Sequence, residues 1–226
     1  MFGKYVRFVR NLALLVIALL MLGALASCFS RRDAPENALT YKGPAEISLK
    51  PGETLAGTDI VYVGLADGMA EFTIEGQRAL KKAGDSLDWK GAPADGVQLS
   101  LSLRLLLLTD QTVHTGGTVE VVIANAVPAG QPVTSESPIK FGVPVTYGVD
   151  RGKMIPGTSI SYEERDEDRG AKLGGVEDYA YRKTGDSIVW EGRLRDNVWL
   201  RLDVRVLFYN ETSLRVGGVA TLWLER

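Results

Sequence analysis

The side chains best suited to covalent chemistry in this sequence are two serines that hold the same place in a repeated octet. Ser86 lies in Gly84-Asp85-Ser86-Leu87-Asp88-Trp89-Lys90-Gly91, and Ser187 lies in Gly185-Asp186-Ser187-Ile188-Val189-Trp190-Glu191-Gly192. A serine attacks an ester efficiently only when a neighbouring base, usually a histidine, takes its proton. His114 is the one histidine of the chain, so the second copy has no base for Ser-His-Asp chemistry.

The first copy of this block, Gly84-Asp85-Ser86-Leu87, resembles the nucleophile block of the GDSL hydrolases. That resemblance implies an α/β fold and a late Asp-x-x-His motif that supplies the base. Here the histidine stands in Asp110-Gln111-Thr112-Val113-His114, where the spacing differs. We therefore interpret both copies as tight turns in which the aspartate bonds locally and the glycine adopts a positive φ. A hydrolase that uses Ser86 or the acidic loop described next is the weakest functional alternative.

An acidic loop is the second candidate for chemistry. Five carboxylates occur in Glu163-Glu164-Arg165-Asp166-Glu167-Asp168-Arg169-Gly170, and Asp166 and Asp168 are the candidate ligands for a calcium ion. The order of residues matches no defined calcium loop, and two arginines offset the charge. His114 has no cysteine partner for a zinc site. We therefore expect a solvated turn and no metal or other cofactor.

The first 28 residues carry a targeting pattern. Lys4, Arg7 and Arg10 precede an apolar run over residues 12–26. A run of this length is shorter than the roughly 20 residues that span a bilayer, so a secretory signal is favoured over a transmembrane helix. The run ends Leu25-Ala26-Ser27-Cys28, and Cys28 is the single cysteine of the chain.

The segment Leu25-Ala26-Ser27-Cys28 resembles the lipobox of bacterial lipoprotein precursors. The resemblance implies that the Cys28 thiol takes a diacylglyceryl group, that residues 1–27 are removed, and that fatty acids such as palmitate anchor the mature chain. Two or three acyl chains hold a protein on a bilayer durably. An ordinary signal peptide and an uncleaved signal anchor are the alternatives. All three place residues 29–226 outside the cytoplasm, and the resemblance predicts attachment to a bacterial membrane.

Composition and charge exclude some partners. The chain has 226 residues, of which 45% are hydrophobic and 24% charged, as in ordinary globular domains. Its net charge is −2, and removal of the three basic residues of the signal segment makes it more negative. No basic cluster is visible, which argues against nucleic acid. The bilayer itself and an envelope protein or glycan remain the expected partners.

The octets belong to an internal duplication. Gly57-Thr58-Asp59-Ile60 is matched by Gly157-Thr158-Ser159-Ile160, and Gly116-Gly117 by Gly217-Gly218. The spacing grows by one residue before the second octet, so we expect an insertion in a hairpin loop. The predicted organisation is a flexible tether over 28–43, a first unit over 44–125, a linker over 126–143 and a second unit over 144–226.

Period-two alternation predicts that both units are all-β. Val97 to Leu105 places aliphatic residues on one face, and Leu106 to Leu108 is apolar on both faces, which predicts cover from both sides. In the second copy, strands are expected at residues 157–163, 171–183, 187–191, 198–209 and 214–224. Short connections favour an antiparallel sandwich or barrel per unit, without long helices. Trp89 and Trp190 are assigned to the two cores.

The second unit differs from the first in one aromatic pair. Alternation in Val198 to Val206 directs Trp199 outward on the face that also carries Arg201 and Arg205, and the hairpin register places Trp223 opposite Trp199. A bulge at the paired glycines would shift this register. These four residues are the candidate partner face, and packing of the two tryptophans against the first unit is the favoured alternative because an exposed tryptophan pair is unusual on a monomer. The leading interpretation is a non-catalytic binding or structural module on a membrane surface, and a carbohydrate or cell-wall binding protein that uses the tryptophans is the alternative.

Overall fold

The computed structural model describes residues 38–225, and this part of the chain lies in one compact unit. It contains fifteen β-strands and no helix, so the all-β prediction is confirmed. All strand pairs are antiparallel. The signal segment, Cys28 and most of the predicted tether lie outside the described residues.

The first unit is a two-layer arrangement of one large and one small sheet. The strands are β1 (Leu39–Leu49), β2 (Val61–Ala66), β3 (Met69–Ile74), β4 (Gln77–Lys81), β5 (Ser86–Ala94), β6 (Val97–Leu108) and β7 (Val113–Ile123). The large sheet has the order β1-β7-β6-β5, and the small sheet has the order β2-β3-β4. Both sheets are open. Tyr62 and Phe72 of the small sheet are buried in the same core as the leucines of β6.

The second unit repeats this order with one additional strand. Its strands are β8 (Ala129–Gly130), β9 (Lys140–Asp150), β10 (Ser161–Asp166), β11 (Gly170–Gly174), β12 (Tyr181–Arg182), β13 (Ser187–Arg195), β14 (Val198–Tyr209) and β15 (Ser213–Leu224). The large sheet has the order β8-β13-β14-β15-β9, and the small sheet has the order β10-β11-β12. The additional strand, β8, comes from the segment that joins the two units.

The inserted residue lies in the hairpin of the second small sheet. Two residues join β2 to β3, whereas residues 167–169 join β10 to β11. The next part of this sheet differs from the sequence-based prediction, because residues 171–183 do not form one strand. Residues 175–180 leave the sheet, since Gly175 adopts a φ of 73° and ends β11. The third strand of the small sheet is therefore five residues long in the first unit and two in the second.

Two predicted boundaries need correction. β1 begins at Leu39 and β9 begins at Lys140, so residues 39–43 and 140–143 belong to strands and not to the tether and the linker. The prediction was wrong at these places because each strand contains a glycine and a proline, which are typical of turns and linkers. Both β1 and β9 are edge strands, where proline is tolerated because one side of the strand needs no hydrogen-bond donor.

The two units share a single continuous core. β1 and β9 pack against each other, and the buried residues of both units form one cluster. The contact is reciprocal. Leu39 and the Tyr41 hydroxyl lie against Gly157 of the second unit, and Ile139 lies against Gly57 of the first. Each unit therefore completes its neighbour's core with the start of its own first strand.

The end of the long hairpin is exposed, contrary to the prediction from its apolar run. Leu106 is 60% exposed and Leu107 is 54% exposed, and the second copy exposes Leu207 and Phe208 at the same place. A β-bulge interrupts the pairing of β6 with β7 between Leu105 and Leu107. The bulge changes the alternation of faces, so consecutive leucines leave the core.

The repeated octet forms the predicted turn in both copies. Gly84 and Gly185 adopt φ values of 91° and 93°. The Asp85 carboxylate accepts a hydrogen bond from the Lys82 amide at 2.8 Å, and the Asp186 carboxylate accepts one from the Lys183 amide at 2.7 Å. The turn interpretation is confirmed.

The tryptophans of the octets do not share one environment. Trp190 is 6% exposed and belongs to the core, as predicted, whereas Trp89 is only partly buried against it. Trp190 donates its indole hydrogen to Ser159 at 3.0 Å, and Trp89 donates to Asp59 at 2.9 Å. The prediction that Trp89 is a core residue is therefore only partly correct, because its side chain packs against the core but remains partly exposed. Nothing in the first unit covers its strand edge as β8 does in the second.

Candidate functional site

The face of the second large sheet that points away from the core carries the predicted partner residues. Side chains on β9, β13, β14 and β15 alternate between buried positions and this face. We call it the second outer face and define it by Lys140, Glu191, Arg193, Trp199, Arg201, Asp203, Arg205, Thr221 and Trp223. The sequence-based candidates Trp199, Trp223, Arg201 and Arg205 all lie on it.

Trp199 and Trp223 are direct cross-strand partners. β14 pairs with β15 so that the Cα atoms of these two residues face each other, and both side chains lie outside the core. The predicted register is confirmed. The irregularity of this hairpin lies between Val206 and Phe208, not at the paired glycines, so it does not reach the tryptophans.

Cations extend the tryptophan pair on both sides. Arg193 of β13 faces Trp199, and Lys140 of β9 faces Trp223. The Lys140 ammonium lies 4.8 Å from the centroid of the Trp223 ring, which is a cation–π contact. The sequence-based analysis missed both cations. Arg193 was detectable from the alternation of β13, but Lys140 was hidden because residue 140 was assigned to the linker.

The linker is anchored on both sides of the tryptophan pair. The Gln131 amide donates to the Glu191 carbonyl at 3.1 Å, the Val133 amide donates to the Glu191 carboxylate at 3.2 Å, and the Ser137 hydroxyl donates to the Leu224 carbonyl at 2.5 Å. Because Glu191 lies on β13 and Leu224 ends β15, the chain crosses the start of β14 between these anchors. Alternate residues of this segment are half-buried.

The Trp199 indole nitrogen is an unsatisfied donor. It is buried and has no hydrogen-bond partner, a condition that normally costs free energy. The cross-strand neighbours of Trp199 on this face are Arg193 of β13 and Trp223 of β15. Trp199 is thus half-buried on the second outer face, and its indole nitrogen is not available to a ligand.

The charged groups beyond the tryptophans are accessible. Arg201 pairs with Glu191 at 2.7 Å, and Arg205 donates to the Gly185 carbonyl at 2.9 Å. Asp203 lies between these arginines on the same strand and is exposed. Among the residues that define the second outer face, four are cationic and two are anionic. The face is therefore basic on a protein whose net charge is −2.

The serine and histidine of the GDSL-like pattern are not brought together. Ser86 faces Arg104 on β6, whereas the His114 ring accepts or donates at Ser48 Oγ, 2.7 Å away, and at Thr112 Oγ1, 3.0 Å away. The serine beside the histidine is thus Ser48, which the sequence pattern did not indicate. The second ring nitrogen meets a hydroxyl and not a carboxylate, so the orienting acid of a triad is replaced by threonine.

The acidic loop uses its carboxylates within the turn. Asp166 accepts hydrogen bonds from the amides of Asp168 and Arg169 at 3.1 and 2.9 Å, and the Arg169 guanidinium pairs with it at 2.6 Å. These bonds lower the pKa of Asp166 from 3.8 to about 2. Within residues 38–225, no group of three or more histidine, cysteine or acidic residues is arranged to hold a metal ion. The Asp166 carboxylate therefore stabilises the turn, to which Asp168 contributes its backbone amide.

A groove of the second unit lies beside Trp190. It has a volume of about 760 Å³ and is bounded by the linker at residues 130–132 and the loop at 175–178. Its polar groups bond to one another, since Arg182 binds Asp178 at 2.7 Å and Trp190 binds Ser159. The groove results from the departure of residues 175–180 from the small sheet.

Comparisons with known proteins give no relative for this chain. No family model matches it, and no curated protein or solved structure shows significant similarity. Between residues 38 and 225 there is also no helix of the length and apolar character that a bilayer crossing requires.

Proposed function

We propose that this chain is a lipid-anchored, extracytoplasmic β protein of the bacterial envelope whose second outer face binds an acidic partner protein. The anchor rests on the sequence pattern that ends at Cys28. The binding role rests chiefly on one structural observation, the surplus of cations on the second outer face. The equivalent face of the first unit is balanced, with Lys42, Lys90 and Arg104 against Glu46, Asp88 and Glu120.

Protein recognition is better supported than sugar recognition. A sugar ring stacks on a free aromatic face, but Lys140 lies over the Trp223 ring and the Trp199 nitrogen is buried. Arg201, Asp203 and Arg205 instead present charges at alternate positions of one straight strand. Such a row suits a complementary protein surface, where charges govern the association rate and the choice of partner.

The anchor is tested by intact mass. The chain from the native membrane should begin at Cys28 and carry added acyl mass, and it should incorporate a clickable palmitate analogue. Cys28→Ser should abolish incorporation and leave residues 1–27 attached. An unmodified chain that begins at Met1 contradicts the proposal.

The binding face is tested by photo-crosslinking in the native envelope. A photoreactive residue at Asp203 should give protein adducts, whereas one at Ser102, the repeat-equivalent position of the first unit, should not. Charge reversal at Arg201 and Arg205 together should remove the Asp203 adducts. Arg104→Glu is the matched control, because Arg104 holds the Gly84 carbonyl as Arg205 holds that of Gly185. Equal adducts at both positions would argue against a dedicated face.

A further inference from the structure

The four main strands of each large sheet have two outer edges, β1 and β5 in the first unit and β9 and β13 in the second. Within residues 38–225, three of these four edges lie against another strand, that of β13 only at Gly192 and Arg193. β1 and β9 pack against each other, and β13 pairs with β8 of the linker. β5 of the first unit ends its sheet, and among the described residues no strand pairs with its outer edge. Such a free edge presents unpaired backbone donors and acceptors at alternate residues and can pair with another strand, here over the regular part of β5 that precedes the irregularity between Gly91 and Ala94.

In the second unit, β8 pairs with the edge that corresponds to the free edge of β5. Gly192 faces Gly130 of β8 and is buried, and Trp190 beside it is in the core. The repeat equivalents in the first unit are Gly91 and Trp89, and both are partly exposed. In each unit the tryptophan ring lies against the glycine two residues later, so the local geometry that accepts β8 is present twice. In the first unit, no described strand occupies the place beside Gly91 that β8 occupies beside Gly192.

The backbone groups that face the open edge follow from the same equivalence. The Glu191 carbonyl accepts the Gln131 amide on the β8 side. Its equivalent is Lys90, so the Lys90 carbonyl points to the open edge of β5, and Asp88 also faces this edge because edge-facing residues alternate along a strand. Both side chains are exposed on the outer face of the sheet.

We propose that two copies of this chain associate through antiparallel pairing of their β5 strands. Edge-facing residues must pair with edge-facing residues, so the register is centred on residue 88, 89 or 90. A centre at 88 sets Asp88 against Asp88, and a centre at 90 sets Lys90 against Lys90. A centre at 89 sets Asp88 of each copy against Lys90 of the other. Charge therefore selects one register.

The same register suits the inner face. It places Trp89 opposite Trp89 of the second copy in a non-hydrogen-bonded pair, where side chains approach most closely. The indole surface that β8 and the linker cover in the second unit is then covered by its own equivalent, and an aromatic cross-strand pair stabilises the sheet. On a free edge, a lysine such as Lys90 discourages pairing with other strands. In the proposed dimer Lys90 faces Asp88 of the second copy, so the same side chain favours this particular pairing.

Charge reversal in the full-length chain, purified in a mild detergent, tests the pairing by sedimentation. We expect a dimer at micromolar or higher concentration, since one strand pair makes a small interface. Asp88→Lys alone and Lys90→Asp alone should each raise the dimer dissociation constant about tenfold, because like charges then face each other twice. The variant that carries both reversals should return to the original value.

The most specific test of the register is to mix the two single variants. One copy then presents two lysines and the other two aspartates, so a heterodimer should form where neither variant dimerises well alone. Lys42→Glu is the control, since Lys42 lies on the outer face of the same sheet but on β1. Circular dichroism should show the same β spectrum for every variant.

A chain that stays monomeric at millimolar concentration overturns the proposal. A dimer that is insensitive to Asp88 and Lys90 overturns it as well and leaves the β5 edge to a peptide partner or the chain's own N-terminal segment. The interface uses neither Cys28 nor the second outer face, so its failure is distinguishable from failure of the proposed function.

Discussion

Arg195 of the second unit binds Asp95 of the first at 2.8 Å, across the place where the two units meet. Its other terminal nitrogen donates to the Ala124 carbonyl at 2.8 Å, and the Asn197 amide donates to the Asp95 carbonyl at 3.3 Å. Asp95 and Asn197 lie in the tight turns that join β5 to β6 and β13 to β14, and Arg195 is the last residue of β13. The turns of the two repeats therefore meet, and polar contacts accompany the shared core.

We expect Arg195→Ala to lower the free energy of unfolding by about 1–2 kcal/mol, because a cationic donor to a partly buried carbonyl is lost. Asp95→Ala should cost less than about 0.5 kcal/mol, because an exposed ion pair contributes little. The Asp95 side chain is 92% exposed. Urea titrations measure both values, and equal losses for the two variants would contradict this assignment.

Gly157→Ala should destabilise the protein by about 3 kcal/mol, because a side chain would meet the Tyr41 hydroxyl and force an L-residue into a positive φ. Gly157 has a φ of 79° and lies against Tyr41 of the other unit. Gly185→Ala is the control, since its φ is 93° but nothing lies within 4 Å of the added carbon. That variant should lose only about 1 kcal/mol in thermal or urea unfolding. Similar losses would show that packing between the units is unimportant at Gly157.

Tyr62 and Tyr162 are repeat equivalents with different hydroxyl environments. The Tyr162 hydroxyl donates to the Asn210 carbonyl at 2.5 Å, whereas the buried Tyr62 hydroxyl has no partner. Tyr162→Phe should therefore cost about 1 kcal/mol of unfolding free energy, and Tyr62→Phe should be neutral or stabilising. Urea denaturation curves of the two variants measure these changes, and a larger loss of unfolding free energy for Tyr62→Phe than for Tyr162→Phe would contradict the prediction.

The Asp166 turn should make one contribution to stability that depends on pH. Its folded pKa of about 2 lies below the ordinary value of 3.8, mainly because the Arg169 side chain binds the carboxylate. A depressed pKa means that the stabilisation is fully present above about pH 4 and is lost as the pH falls toward 2. Asp166→Asn should therefore lower the urea midpoint at pH 7, and the difference from the parent protein should have become small by pH 2, where the carboxyl is about half protonated in the folded state. A constant difference across this range would contradict the ionic origin.

Local patterns in the sequence were sufficient for the central strands of the large sheets and for the turns of the repeated octet. The Asp85 and Asp186 turns followed from residue type, since aspartate bonds to the backbone three residues earlier and glycine accepts a positive φ. The cross-strand pairing of Trp199 with Trp223 followed from the alternation of side chains along β14, because a shift by one residue would have buried the charged residues of that strand. These features depend on interactions within a few residues or within one hairpin, and the chain itself specifies them.

Contacts between distant segments decided the rest. The pairing of β8 with β13 was not visible in Ala129 and Gly130, because a strand of two residues has no period. The exposure of Leu107 depends on a bulge, which hydrophobicity does not encode. The reciprocal insertion of Leu39 and Ile139 merges two predicted cores into one, because apolar strand ends are buried only when the other repeat is present. The sequence by itself determined the alternation, the turns and the duplication, and only the tertiary structure determined which edges those repeats cover and which edge they leave open.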